Sequence, residues 1–135
     1  MGLTDDERNS IVALRLDKAR RFMEEAEKML AMELWDLAAN RFYYTCFHAA
    51  QALLVRYGLS AHTHAGTLGV FGMHFVKTGR ISKEQGAFFS RMEQLRMKAD
   101  YNCEYDVSKD DVELMSAPTR AFVEAVEKII LEKKD

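Results

Sequence analysis

The sequence predicts an all-α protein: a single helical bundle of four long helices plus one short helix, in one domain over residues 1–135. Three observations carry this expectation. Only one proline and seven glycines interrupt 135 residues, so helix breakers are scarce. Apolar residues recur at steps of three and four, the helical period, rather than in alternation. Two stretches, Thr4-Asp5-Asp6-Glu7 and Ser82-Lys83-Glu84-Gln85, open with the capping-box pattern that marks helix starts.

The first helix begins at Thr4 and carries an apolar stripe of Val12, Leu16, Ala19, Met23, Ala26 and Leu30. Charged residues fill its other face, so it is half-buried. The second, over about 34 to 57, is apolar in every direction; Arg41 is its only charged residue between Leu37 and Val55. Such a helix belongs at the centre of a bundle. Gly58 ends it as a C′ residue. A short helix over about 65 to 77 follows, closed by Gly79. Helix four starts at Ser82 and turns Phe88, Phe89, Met92 and Leu95 inward. Helix five starts at Ser108 with the stripe Val112, Met115, Phe122, Val126 and Ile129, and Pro118 is expected to kink it. The lysine-rich end, Glu132 to Asp135, reads as a frayed tail.

Size and charge set limits on function. A chain of this length buries roughly two-thirds of its unfolded surface, enough for a core without disulfides or metal. The formal charge of −2 gives no global attraction to nucleic acid, so any such contact must be a local patch. Cys46 and Cys103 show no CxxC spacing. The first ten residues are acidic and polar where a signal peptide needs an apolar run, and Asp6 stands where myristoylation needs Ser or Thr. No apolar run is long enough to span a membrane. These features predict a cytoplasmic protein with reduced thiols and no membrane contact.

Several polar residues lie in apolar surroundings. Arg41, Tyr44, His48 and Gln51 share one face of helix two. They form either satisfied interior hydrogen bonds or a functional groove, since an unpaired buried arginine is costly. His62, His64 and His74 lie close in sequence, but no Asp, Glu or Cys between positions 60 and 80 completes a metal site, so no metal or cofactor is expected. Arg96, Lys98, Asp100 and Asn102 fall where a helix ends, and on residue type alone they read as a solvated helix terminus.

Four motifs in order then carry a resemblance. They are Arg41, Tyr43, Tyr44, Phe47, Ala50 and Ala52-Leu53-Leu54; Thr63-His64 with Gly66; Phe71, Phe75-Val76-Lys77 and Gly79; and Arg96 with Ala99-Asp100-Tyr101. Over about residues 8 to 131 the chain resembles the HEPN superfamily (higher eukaryotes and prokaryotes nucleotide-binding domains). It is similar to a branch often paired with minimal nucleotidyltransferases. The resemblance implies an up-and-down bundle, a homodimer, and a nucleotidyltransferase partner in a toxin–antitoxin-like pair. In the RNase members an arginine followed after four to six residues by a histidine cleaves RNA without metal. Here Tyr101, Asn102 and Cys103 occupy the positions for that histidine after Arg96. Loss of an acid–base partner typically costs a factor of about 10² to 10⁴ in rate.

The favoured reading is therefore a nucleotide-binding or interaction module rather than an enzyme. Its expected nucleotide or phosphate contacts are Arg41, Tyr44, His48, Arg96, Lys98, Asp100 and Tyr101. The alternative is a metal-independent RNase toxin using Arg96 with a displaced histidine, His48 or His64 brought to it by the fold. A third reading is a purely structural interaction protein. The resemblance also makes Tyr101 a candidate for modification by a partner nucleotidyltransferase.

Overall fold

A computed structural model describes residues 2–133; Met1 and the last two residues of the lysine-rich end, Lys134 and Asp135, lie outside the described residues. Six α-helices follow one another: α1 (Asp5–Ala31), α2 (Trp35–Arg56), α3 (His64–Phe71), α4 (Lys83–Tyr101), α5 (Lys109–Val112) and α6 (Ser116–Glu132). There is no strand among the described residues. The all-α class predicted from apolar periodicity is what the chain adopts.

Each boundary has a local cause. The Thr4 hydroxyl accepts from the Glu7 amide at 3.1 Å and the Glu7 carboxylate accepts from the Thr4 amide at 2.9 Å, completing the predicted box. Between α1 and α2 the chain reverses in three residues, with Glu33 in the left-handed region at φ 61°. The Leu34 amide donates back to the Met29 carbonyl at 2.9 Å, which satisfies an orphan carbonyl of α1. Gly58 stops α2 at φ 70°, as its type predicts.

The middle of the bundle is α2. Thirteen of its 22 residues are buried, including Phe42, Tyr43, Cys46, Leu53 and Leu54. It packs against α1, α3, α4, α5 and α6, which explains why its sequence is so largely apolar. Phe71, Phe89 and Phe122 close the core from three neighbouring helices, with ring centroids 5.2–5.6 Å apart. Aromatic pairs at this separation add to the burial of their area. The expected helix over 65 to 77 starts one residue earlier, and past Phe71 it widens into a π-helical turn, Gly72–Val76. Gly86 of α4 packs on that turn; a Cβ there would lie 2.9 Å from a methyl of Val76.

The fifth helix is a correction. Ser108 does cap a helix, accepting from the Asp111 amide at 3.3 Å, but α5 stops after four residues. Pro118 does not kink a continuous helix; it occupies the first turn of a separate α6, where a missing amide hydrogen costs nothing. In one unbroken helix its ring would meet the carbonyl of Leu114. The break leaves the Leu114 side chain 81% exposed.

Candidate functional site

α4 delivers a charged pair into the bundle. The stripe that buries Phe89 and Met92 continues at Glu93 and Arg96, four and seven residues on from Phe89. Both therefore face α2 instead of water. Arg96 donates to the Glu93 carboxylate through Nε at 3.1 Å and Nη2 at 2.8 Å, and to Asp100 through Nη1 at 2.9 Å. Its side chain is only 7% exposed. The guanidinium also lies 5.2 Å from the ring centre of the buried Tyr43, a cation–π contact. The solvated-terminus expectation is thus overturned for Arg96: its fork is spent on two carboxylates, the buried Glu93 and the exposed Asp100.

A titratable chain leads outward from this pair. The Tyr43 hydroxyl is 2.6 Å from His64 Nδ1, and that nitrogen is 3.9 Å from a Glu93 oxygen. His64 is the first residue of α3, whose start is fixed by the Thr63 hydroxyl accepting from the Gly66 amide at 2.8 Å. Burial would raise the Glu93 carboxyl, but hydrogen bonds from Arg96 and Tyr43 outweigh it and hold the group below the usual range. Burial, then the Glu93 carboxylate, push the Tyr43 phenol far up, so it stays protonated. Tyr43 thus links His64 to the Glu93–Arg96 pair by hydrogen bonding.

Of the two histidines considered as partners for Arg96, His64 is the one placed in this network. His48 sits on the α1 side. Its Nδ1 is 2.9 Å from Arg15 Nη1 and so accepts a hydrogen bond from it, and its ring is 5.4 Å from Phe22. Burial, helped by the charges of Arg15, Lys18 and Arg21, lowers its pKa to about 4. It is a neutral acceptor at pH 7.

The other expected residues divide between locations. Arg41 donates to Glu25 at 2.8 Å and to Asn40 at 2.6 Å, and lies over Phe22 at 5.3 Å. With Arg96 and Asp100 it lines a cleft of about 240 Å³ between the start of α2 and the end of α4. Tyr44 belongs to a half-exposed ring cluster with Phe22, Phe47 and His64, at centroid distances of 5.7–6.4 Å. Gln51 is a satisfied interior group, donating to Thr67 Oγ1 at 2.7 Å. Lys98 turns away from Arg96, its ammonium 4.9 Å from the Tyr105 ring. Tyr101, the last residue of α4, is 79% exposed. No cluster of three residues able to hold a metal ion occurs among the described residues.

Residue type missed Glu93, Arg15 and Phe22. For Glu93 the signal was present: a carboxylate three residues before an arginine, both in phase with Phe89.

Two outcomes are expected. Replacing Arg96 with Met strands the buried Glu93 carboxylate and should cost about 3–5 kcal/mol in urea unfolding, while adding Glu93→Gln should recover most of that loss. The folded pKa of His48 lies below its unfolded value of roughly 6.5. The unfolded chain therefore takes up the proton first, so His48 supports stability fully above that value and loses it as pH falls toward 4. His48→Gln should flatten that decline, which has a limiting slope of about 1.4 kcal/mol per pH unit for one proton.

Comparison with known proteins covers the stretch that holds the four motifs. A profile of the HEPN domain matches residues 12–129. A "UPF0332 protein" of Thermotoga maritima is 34% identical over 129 residues, covering 96% of this chain and 98% of the relative. Two relatives from Methanocaldococcus jannaschii bear the names "Putative toxin MJ0605" and "Putative toxin MJ0142". The first is 32% identical over 96% of each chain; the second is 26% identical over 87% of this chain and 80% of the relative. With a family profile spanning most of its length, the chain belongs to the HEPN domain family.

Proposed function

We propose that this protein is the HEPN member of a toxin–antitoxin-like pair, acting as a binding module for a nucleotide or RNA beside a nucleotidyltransferase partner. One observation carries the ligand: Arg15, Lys18 and Arg21 make no ion pair among the described residues, yet their charge converges on His48 next to the half-exposed rings. Cations beside accessible aromatic rings suit a phosphate backbone with unpaired bases. Charge balance moves the contact from where residue type put it. Arg96 is outnumbered by Glu93 and Asp100, so the first phosphate contact belongs to α1, and Arg41 and Arg96 are reached once Asp100 moves aside.

A homodimer that joins two such faces would extend the site. The toxin-like names of two relatives support the pairing with a second protein. The exposure of Tyr101 supports its reading as a modification site.

RNA cleavage is the second reading, and a specific contact favours it. The His64–Tyr43–Glu93 chain of contacts ends beside Arg96, which puts a histidine near the arginine without the usual spacing in sequence. His64 would exchange the 2′-hydroxyl proton, and Arg96 would offset developing phosphate charge.

A labelled twelve-nucleotide RNA tests both. Lys18→Glu with Arg21→Glu should weaken binding at least tenfold and flatten its salt dependence; unchanged affinity refutes the binding face. If the protein cuts the RNA, His64→Ala and Arg96→Ala should each abolish cutting while the α1 variant only raises KM; cutting that survives both removes the second reading. Co-purification with the product of the neighbouring reading frame tests the pairing: a small nucleotidyltransferase, with an AMP mass gain on the peptide containing Tyr101, is the expected result.

A further inference from the structure

The hydrogen bond between His48 and Arg15 admits one protonation state of the ring. A guanidinium has no acceptor atom, so at 2.9 Å the Arg15 Nη1–H donates and His48 Nδ1 accepts. The ring is therefore neutral, with its proton on Nε2. A second proton would set an N–H against an N–H and add charge beside a cation. Water offers little relief. His48 is 7% exposed, and the rings of Phe22, Tyr44 and Phe47 surround it at centroid distances of 5.4–6.2 Å.

The charges that bear on the ring are positive: Arg15, Lys18 and Arg21, all on α1. Glu25 of the same helix is taken up by Arg41 at 2.8 Å. From α2 come the rings of Tyr44 and Phe47, and from α3 comes His64, which touches both of those rings and meets the Tyr43 hydroxyl at 2.6 Å. The carboxylate beside His64 is Glu93, and Arg96 holds it at 2.8 Å. A protonated His48 thus has cations for neighbours and each nearby acid already paired. The counter-charge it lacks has to come from outside the protein.

We propose that His48 is a proton-gated positioning residue for Arg15: the neutral ring holds the guanidinium in, and uptake of one proton releases it to a phosphate, so the α1 face binds RNA more tightly in acid. The proposal rests on the reading of α1 as the phosphate-binding face and adds its regulation. A phosphate seated on Arg15, Lys18 and Arg21 changes two things at the ring. It offers the Arg15 N–H an acceptor other than Nδ1, and it cancels positive potential there. Both favour the imidazolium. Coupling of this kind is reciprocal, so the proton strengthens phosphate binding by the factor by which phosphate strengthens proton binding.

The probe is a uridine oligomer about twelve nucleotides long, because uracil and the phosphodiester do not titrate between roughly pH 5 and 8, where a histidine does. Its affinity for the intact protein should rise about fivefold or more from about pH 7.5 to about pH 5.5. His48→Gln, whose amide oxygen still accepts from Arg15 but takes no proton, should lose this rise. His62→Gln, in the loop before α3, should keep it. By NMR the His48 ring should titrate about one pH unit or more higher with the oligomer bound than without it. Arg15→Gln should raise the value in the free protein and shrink that difference. Thermal melts at both pH values confirm folding, and the NMR titration stands whether or not His48→Gln folds. Affinity unchanged by pH, a rise that His48→Gln keeps, or a His48 titration indifferent to the oligomer overturns the proposal. If Lys18→Glu with Arg21→Glu still weakens binding in that case, the α1 face stands without its proton gate. Absence of binding at both pH values removes the face and the gate together.

Discussion

The structure depends on the burial of α2. A helix packed on every side by others has no solvent to satisfy a polar side chain, so each one must find its partner on a neighbouring element. Gln51 reaches Thr67 of α3, His48 takes a hydrogen bond from Arg15 of α1, and Tyr43 meets His64 at the start of α3. Thr45 instead bonds within its own helix, to the Arg41 carbonyl at 2.8 Å, and Arg41 donates to the adjacent Asn40. These contacts fix where α1 and α3 sit relative to the central helix. They give a packing that apolar contacts alone leave less specific.

The same constraint builds the site. Tyr43 is fully buried, and its ring supplies the surface on which the Arg96 guanidinium lies. Without Glu93 that guanidinium would be a buried charge with one exposed carboxylate to balance it; with Glu93 it is held by two parallel bonds. Such a pair gains little net stability, because both ions lose water, but losing either partner is severe. Its contribution is positional. It holds a rigid arginine and an orientable histidine at one end of the bundle.

How much of this the sequence disclosed follows from which forces are local. Capping boxes and stop glycines act within a few residues, and Thr4, Gly58, Ser82 and Gly79 mark helix boundaries as their types predict. Pro118 misled because its effect depends on phase: inside a helix it kinks, in the first turn it is harmless, and composition alone does not say which. The site was harder to read. Arg96 looked like a helix-end cation because dipole arguments apply to any exposed terminus, while its burial depends on the facing of α2, a long-range fact. The pairing of His64 with Tyr43 joins residues 21 apart, and no helical period connects them.

Charge is unevenly distributed over the small molecule. The net charge of −2 conceals an α1 stretch where Arg15, Lys18 and Arg21 are free of ion pairs beside aromatic rings. Other cations are matched by acids: Glu93 and Asp100 neutralise Arg96, Glu25 neutralises Arg41, and Glu27 holds Arg120. Cations left unpaired on a weakly acidic protein keep most of their field for a visiting anion. Beside half-exposed rings that anion suits a phosphate with a base to stack. The chemistry of the neighbouring rings, more than the cations themselves, defines this face.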